Sequence, residues 1–166
     1  MTADLSAAVA ALLDRNAQAR AALRAAVEGL SDADRRASWP DGSCVHDAVA
    51  HLAAWEDGFA AALEMALRGD RPEVPGYEYG LEDATDRLNA RLAPEFPTLS
   101  WEQVIARLDA ADARHDAALR AVPGALPPER FEDGRSARRL AAAYRHFEEH
   151  TPQIVAWRAG TGRSNP

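Results

Sequence analysis

The chain of 166 residues carries a formal net charge of −7 and a pI near 5.2, and 47% of its residues are hydrophobic. This composition excludes an intrinsically disordered chain and suits one globular domain with a sizeable core. The charge disfavours nucleic acid or an anionic membrane surface as a partner, because such partners attract basic stripes and the arginines here are interleaved with acids.

The first predicted helix runs from about Leu5 to Val27, with apolar residues at spacings of three and four. Gly29 ends it. The following residues 31–34 are typical of a turn or of a short capped helix.

The second helix follows a turn signal at residues 39–42, with Ser43 as the expected N-cap, and runs to about Arg68. A long connection then spans Pro72 to Leu99 and contains a short predicted helix from Leu81 to Leu92. Connections of this length usually carry function or structure of their own.

The third helix opens with the capping-box pattern of residues 100–103 and continues to Ala121. Residues 123–128, rich in proline, predict a loop. The fourth helix is expected to start near Ser136 and to end at Gly160. No stretch predicts a convincing strand.

Four long amphipathic helices predict an all-α fold, a four-helix bundle with a long crossover connection between the second and third helices. We expect residues 1–160 to form one domain and residues 161–166 to form a flexible tail.

Three histidines are the feature that suggests chemistry. His146 and His150 are four residues apart, so on a helix they point the same way from successive turns. Both lean toward the apolar face of the fourth helix, and His51 borders the apolar stripe of the second helix. Buried imidazoles without a partner are costly, and a metal ion would relieve that cost. The alternative is that the three histidines only pack in the core.

Other nearby residues allow weaker interpretations. Pro152 predicts a bend that either tilts the histidine pair toward a cavity or has no further role. His46 and His115 are interpreted as exposed and receive no role. Cys44, the single cysteine, excludes an intramolecular disulfide and a thiolate zinc site, and we interpret it as a small buried residue rather than a thiolate.

The N-terminus shows no basic segment followed by an apolar one, and no apolar run approaches the roughly 18 residues of a membrane span. We therefore expect a cytoplasmic protein by default.

Two segments carry a family resemblance: residues 45–56 (VHDAVAHLAAWE) and residues 144–154 (YRHFEEHTPQI). With them, the chain resembles the DinB/YfiT-like superfamily of four-helix-bundle proteins over nearly its whole length. Residues 88–92 and 100–104 also resemble the linking segment of the ClbS/DfsB-like branch.

The resemblance implies a divalent metal, typically nickel or zinc, held by His51, His146 and His150 with coordination positions left open. It also implies a homodimer, and it implies low-molecular-weight thiols as cosubstrates, since several members are thiol-dependent transferases or isomerases. Other members are hydrolases or resistance proteins. DNA binding is not implied.

Neighbouring side chains are candidates for supporting roles. Asp47 precedes His51 by one turn and is predicted to accept a hydrogen bond from its ring. Glu148 and Glu149 are expected to be solvated. Tyr77 and Tyr79, in the long connection, are candidates for the mouth of a pocket. Trp55, Tyr144 and Phe147 are interpreted as core residues.

Together with the Lewis acidity of an ion held by three imidazoles, the resemblance implies a metal-dependent thiol S-transferase or hydrolase that acts on a small electrophilic substrate in detoxification or the stress response. One alternative is a non-enzymatic bundle of the stress response that binds a small molecule or a metal. A second is a bundle in which the histidines only pack.

Overall fold

The computed structural model describes residues 5–132 and 137–160, and every regular element in those ranges is helical. The elements in chain order are α1 (Leu5–Val27), α2 (Asp32–Arg35), α3 (Val45–Leu67), α4 (Ala84–Leu92), a 3-10 helix (Ala93–Thr98), α5 (Trp101–Ala125), α6 (Pro128–Glu132), α7 (Ala137–Ala141) and α8 (Tyr144–Gly160).

The long helices α1, α3, α5 and α8 form the bundle that the sequence predicts. Helix α3 packs along α5, and α1 packs along α8. Their apolar faces meet in a core whose largest fully buried side chains include Leu23, Leu52, Leu63, Leu108, Leu119, Phe147 and Ile154. Burial of these side chains is the main stabilising contribution, since each removes apolar surface from water.

The crossover between α3 and α5 contains α4 and the 3-10 helix, so the predicted short helix is present but begins at Ala84 rather than Leu81. The crossover packs against α3. At Gly58 of α3, an added Cβ would lie 3.0 Å from Val74 Cγ1, so the glycine makes room for the chain that covers it.

Two helix starts are capped as the sequence indicates. Ser100 Oγ accepts a hydrogen bond from Gln103 N–H at 3.2 Å, and Ser100 N–H donates to Gln103 Oε1 at 2.8 Å. Ser31 and Asp34 form the equivalent capping box of α2. Both boxes satisfy backbone donors that the first turn leaves without partners.

The prediction of Ser43 as the N-cap of the second helix is wrong. Cys44 occupies the N-cap position, and its side chain makes no capping bond. The Ser43 hydroxyl instead donates to Asp41 Oδ1 at 2.7 Å, because Asp41 turns its carboxylate onto the residue two positions ahead.

The predicted loop at residues 123–128 is also partly wrong, because α5 continues through Pro123 and Gly124 to Ala125. Val122 and Leu126, on either side of that pair, are both buried. Their packing overrides the poor helix propensities of proline and glycine.

The predicted fourth helix is interrupted. It is observed as α7 and α8, with Ala142 and Ala143 between them. Ser136, where it was expected to start, and the predicted tail 161–166 lie outside the described residues. No helix in the described part of the chain has the length and apolar character needed to cross a membrane.

Candidate metal centre

The three histidines meet between α3 and α8. His51 Nε2 lies 3.0 Å from His146 Nε2, although the two residues are 95 positions apart in the chain. The ring centroids are 4.9 Å apart for His51 and His146, 4.9 Å for His51 and His150, and 4.8 Å for His146 and His150. Each ring offers one nitrogen within 4.8 Å of the other two.

The helices explain this arrangement. His146 lies in the first turn of α8 and His150 in the second, so their side chains project on the same side. His51 comes from α3, whose face carries buried Leu52 and Trp55 toward the core. All three histidines are half-buried, so each keeps part of its surface exposed to solvent.

Burial keeps two of the rings neutral. Desolvation lowers the pKa of His51 to about 4, with a smaller contribution from the charge of His150. Desolvation, followed by the charges of His51 and His150, lowers the pKa of His146 to about 3. At neutral pH these rings therefore hold lone pairs that can bind a metal.

The donor set fits a divalent transition metal. Imidazole nitrogens suit zinc, nickel, copper and iron, whereas magnesium and calcium prefer oxygen ligands. Two nitrogens, each about 2.1 Å from one ion, lie about 3.0 Å apart at right angles and about 3.4 Å apart in a tetrahedral site. The 3.0 Å between His51 Nε2 and His146 Nε2 is a hydrogen-bond distance between the two rings, and it is close to the spacing that a shared ion requires. Within residues 5–132 and 137–160, no other group of three or more His, Cys, Asp or Glu side chains could hold an ion in this way.

Aromatic rings surround the histidines. The Trp55 ring lies 6.2 Å from His51 and 5.8 Å from His146, and the Phe59 ring lies 6.1 Å from His146. The 3-10 helix adds Phe96, whose ring meets His51 edge-on at 6.5 Å. These rings contribute to the burial that disfavours the charged forms of His51 and His146.

The family model of the DinB superfamily matches residues 9–153, a range that includes all three histidines. The chain belongs to the DinB superfamily. No significant match was found among curated proteins or among solved structures. The ClbS/DfsB-like branch stays a prediction.

In this DinB-superfamily chain, the long connection covers the site. Trp55 Nε1–H donates to Asn89 Oδ1 of α4 at 2.9 Å, which fixes the indole against the histidines. Tyr77 lies with its ring 6.1 Å from Trp55, and Tyr79 lies 4.7 Å from Tyr77. The two tyrosines therefore extend the aromatic wall outward, and Tyr79 is exposed.

The predicted hydrogen bond from the His51 ring to Asp47 is wrong. Asp47 Oδ1 lies 3.4 Å from Nδ1 of His46, the neighbouring residue, rather than pairing with His51. The two glutamates beside the ligands are exposed as expected, and Glu148 forms an ion pair with Arg15 at 3.3 Å.

The residues that the sequence predicts as core residues are buried. Cys44 is buried, and burial raises the pKa of its thiol, which agrees with its interpretation as a small core residue. Tyr144 and Phe147 are buried in the core as expected. Trp55 is buried too, and it also faces the histidines, a second role that its spacing alone did not reveal.

The interpretation of His46 and His115 as exposed is wrong, because both are fully buried. His46 Nε2 lies 3.1 Å from the Leu99 carbonyl oxygen, and His115 Nε2 lies 2.9 Å from that of Leu140. Acidic residues beside His115 suggested a solvated face. However, the buried positions of α5 recur at Leu108, Ala111, His115, Ala118, Leu119 and Val122, a helical spacing that includes it.

A buried charged cluster near the bundle centre was not predicted. Arg20 of α1 pairs with Glu56 of α3, and its guanidinium lies 2.9 Å from Asp112 and 2.7 Å from Asp116 of α5. Three carboxyl groups thus face one guanidinium, and burial raises the pKa of both Glu56 and Asp112 to about 7. The available signal was the spacing of Leu52, Glu56, Phe59 and Leu63, which places the glutamate on an apolar face.

Proposed function

We propose that this protein is a metal-dependent enzyme in which His51, His146 and His150 hold one divalent ion, nickel or zinc. The ion activates a thiol or water for transfer to, or hydrolysis of, a small electrophilic substrate in detoxification or the stress response. The observation that carries the proposal is the convergence of three imidazole nitrogens, from two separate helices, within 4.8 Å of one another.

The chemistry follows from the charge of the donor set. Three neutral imidazoles do not cancel the charge of a divalent ion, whereas carboxylate or thiolate ligands would. When bound, such an ion supplies Lewis acidity that lowers the pKa of a water or thiol at the site. Open coordination positions are what separate catalytic from structural zinc sites.

The chain's own residues orient and shield the reacting groups. The rings of Trp55, Phe59 and Phe96 limit water around the imidazoles, which strengthens electrostatic interactions inside the site. The hydrogen bond from Trp55 to Asn89 holds the largest of these rings in place. An apolar wall of this kind favours a substrate with an apolar body next to its electrophilic atom.

A second candidate is a non-enzymatic bundle that sequesters a metal or a small molecule. It is favoured by the immediate surroundings of the triad. In the described part of the chain, the side-chain hydrogen bonds and ring contacts of the three histidines involve each other and the rings of Trp55, Phe59 and Phe96. Those rings offer no general acid or base, so such a bundle would bind without turnover.

Elemental analysis of the purified protein tests the metal site. We expect about one divalent ion per chain in the wild type, as for a three-histidine catalytic site, and a loss of that ion in His150→Ala. His46→Gln is the matched control, because His46 is a buried histidine of α3 outside the triad, and we expect it to keep the metal. A wild-type protein that stays metal-free after reconstitution contradicts the proposal.

A screen of low-molecular-weight thiols against small electrophiles distinguishes the two candidates. The enzyme predicts product formation that depends on the bound metal and disappears in His150→Ala. The binding bundle predicts saturable binding of the same compounds with no product. Homodimer formation also stays a proposal, and the mass of the protein in solution by light scattering tests it.

A further inference from the structure

The interruption between α7 and α8 lies next to the candidate metal centre. Helix α7 ends at Ala141 and α8 begins at Tyr144, two residues before His146. The intervening Ala142 and Ala143 are buried. Alanine has no side-chain acceptor or donor, so these two residues cannot cap the adjoining helix ends with their side chains. Local backbone hydrogen bonds pair the N–H of Ala142 and the carbonyl oxygens of Ala142 and Ala143. The Ala141 carbonyl oxygen and the Tyr144 N–H, on either side, are bound from another helix.

Asn16 of α1 supplies two of those partners with one amide group. Its Nδ2–H donates to the Ala141 carbonyl oxygen at 3.0 Å, at the end of α7. Its Oδ1 accepts from Tyr144 N–H at 2.9 Å, at the start of α8. Asn16 is fully buried, so both hydrogen bonds are shielded from water.

His115 of α5 supplies a third partner. Its Nε2 lies 2.9 Å from the Leu140 carbonyl oxygen, and because a carbonyl only accepts, Nε2 carries the proton. Its Nδ1 faces Arg20 Nη2 at 3.5 Å and Glu56 Oε1 at 3.4 Å. Side chains from α1 and α5 therefore bind the backbone around the interruption. The α5 residue, His115, also contacts the buried charged cluster.

We propose that Asn16 is a positioning residue of the metal centre, which fixes the start of α8 so that His146 and His150 face His51. This inference rests on the proposed function, because it requires those histidines to bind a metal. An α-helix turns about 100° per residue, so a shift of one residue in the start of α8 would rotate both imidazoles away from α3. Asn16 opposes that shift by binding both sides of the interruption.

A purely structural role for Asn16 would lower stability without changing the metal centre, and Arg158 offers a matched comparison. Arg158 is also buried and also links α8 to α1, since its Nη1 donates to the carbonyl oxygens of Ala26 at 3.0 Å and Glu28 at 2.9 Å. It lies at the other end of α8 from His146. Loss of its hydrogen bonds should loosen the helix pair without moving the start of α8.

The test is a titration of the metal-free, full-length protein with Co²⁺, followed by visible absorption of the d–d bands, which report coordination number and geometry. We expect Asn16→Leu to weaken Co²⁺ binding about tenfold or more, the range seen when supporting hydrogen bonds of metal ligands are lost, and to change the spectrum. Asn16→Asp keeps an acceptor for Tyr144 N–H but loses the donor to the Ala141 carbonyl oxygen, so its affinity and spectrum should lie closer to those of the wild type than those of Asn16→Leu do. Arg158→Met should lose stability to urea and keep both the affinity and the spectrum.

Other outcomes would contradict either the positioning role of Asn16 or the proposed function. A folded Asn16→Leu with wild-type affinity and spectrum overturns the positioning role and leaves the metal site intact. If Asn16→Leu does not fold, Asn16→Ala replaces it, and equal affinities and spectra for Asn16→Ala and Asn16→Asp overturn the proposal. Failure of the wild type to bind Co²⁺ contradicts the proposed function itself, and the positioning role falls with it.

Discussion

Glu56 illustrates how a single buried carboxyl group links folding to pH. It is 1% exposed and meets Arg20 of α1 and His115 of α5, with Asp112 and Asp116 close to the same guanidinium. Burial raises its pKa from 4.5 to about 7. The folded protein therefore holds this proton more tightly than the unfolded chain does between those two values.

The difference in proton binding between the folded and unfolded states determines how stability changes with pH. Between pH 4.5 and about 7 the folded state binds more protons at Glu56, so its contribution to stability is present below that window and is lost as the pH rises through it. Because Gln cannot ionise, Glu56→Gln should become more stable relative to wild type as the pH rises from 5 to 7, by at most about 1.4 kcal/mol per pH unit. Urea unfolding of both metal-free proteins across this range measures the difference.

Glu82→Gln is the control for that experiment, because Glu82 is exposed in the crossover. Its stability relative to wild type should not change over the same range. A pH-independent difference between wild type and Glu56→Gln would show that Glu56 ionises normally in the folded protein.

Much of the site could be predicted from the sequence at this scale. The spacing of His146 and His150 and the inward lean of His51 indicated these three histidines but left packing in the core as an alternative, and the family resemblance implied them as the ligand set. His115 and Glu56 were missed for a common reason. Both are polar residues whose burial depends on partners from other helices, here Arg20 and the Leu140 carbonyl, and no local pattern reports such contacts.

At the scale of the elements, helix starts depend on which side chain reaches the free backbone donors. Ser100 caps α5, whereas Ser43 bonds to Asp41 and leaves the start of α3 without a side-chain cap. We expect Ser100→Ala to lower the free energy of unfolding by about 1 kcal/mol. Urea unfolding at fixed pH measures this value.

Ser43→Ala provides the comparison, because the Ser43 hydroxyl lies close to the start of α3 but does not cap it. Its loss of stability should be smaller, within about 0.5 kcal/mol. Equal losses for the two variants would contradict the assignment of the caps.

The existence of the helices was predictable from the sequence, but not all of their boundaries were. The periodicity of apolar residues located all four long helices, because burial of one face follows directly from spacing. The continuation of α5 through Pro123 depends on burial of Val122 and Leu126, and the interruption before Tyr144 depends on Asn16, 128 residues away. Tertiary contacts decide both, and these are not visible in local sequence.

At the scale of the whole molecule, an ion bound by the triad would link α3 to α8. Metal binding to the folded state alone raises stability, by about 2.7 kcal/mol when the free ion is at 100 times its Kd. We expect this rise when Ni²⁺ or Zn²⁺ is added to the metal-free wild type, and its reversal by a chelator. Thermal unfolding with and without added ion measures it.

His51→Ala removes the only ligand candidate that α3 offers to the triad, and it should show little or no rise. His46→Gln should respond as the wild type does. A full response in His51→Ala would place the ion elsewhere on the protein.

The position of the triad along the chain has a consequence for biosynthesis. His51 is translated early, whereas His146 and His150 lie in α8, the last helix that the structure describes. A ribosome-bound chain that has emerged only as far as α5 presents one of the three nitrogens and cannot retain an ion at this place. Metal acquisition would therefore follow synthesis and docking of α8, so that a premature stop codon before residue 146 yields a product without the centre, however well its first helices fold.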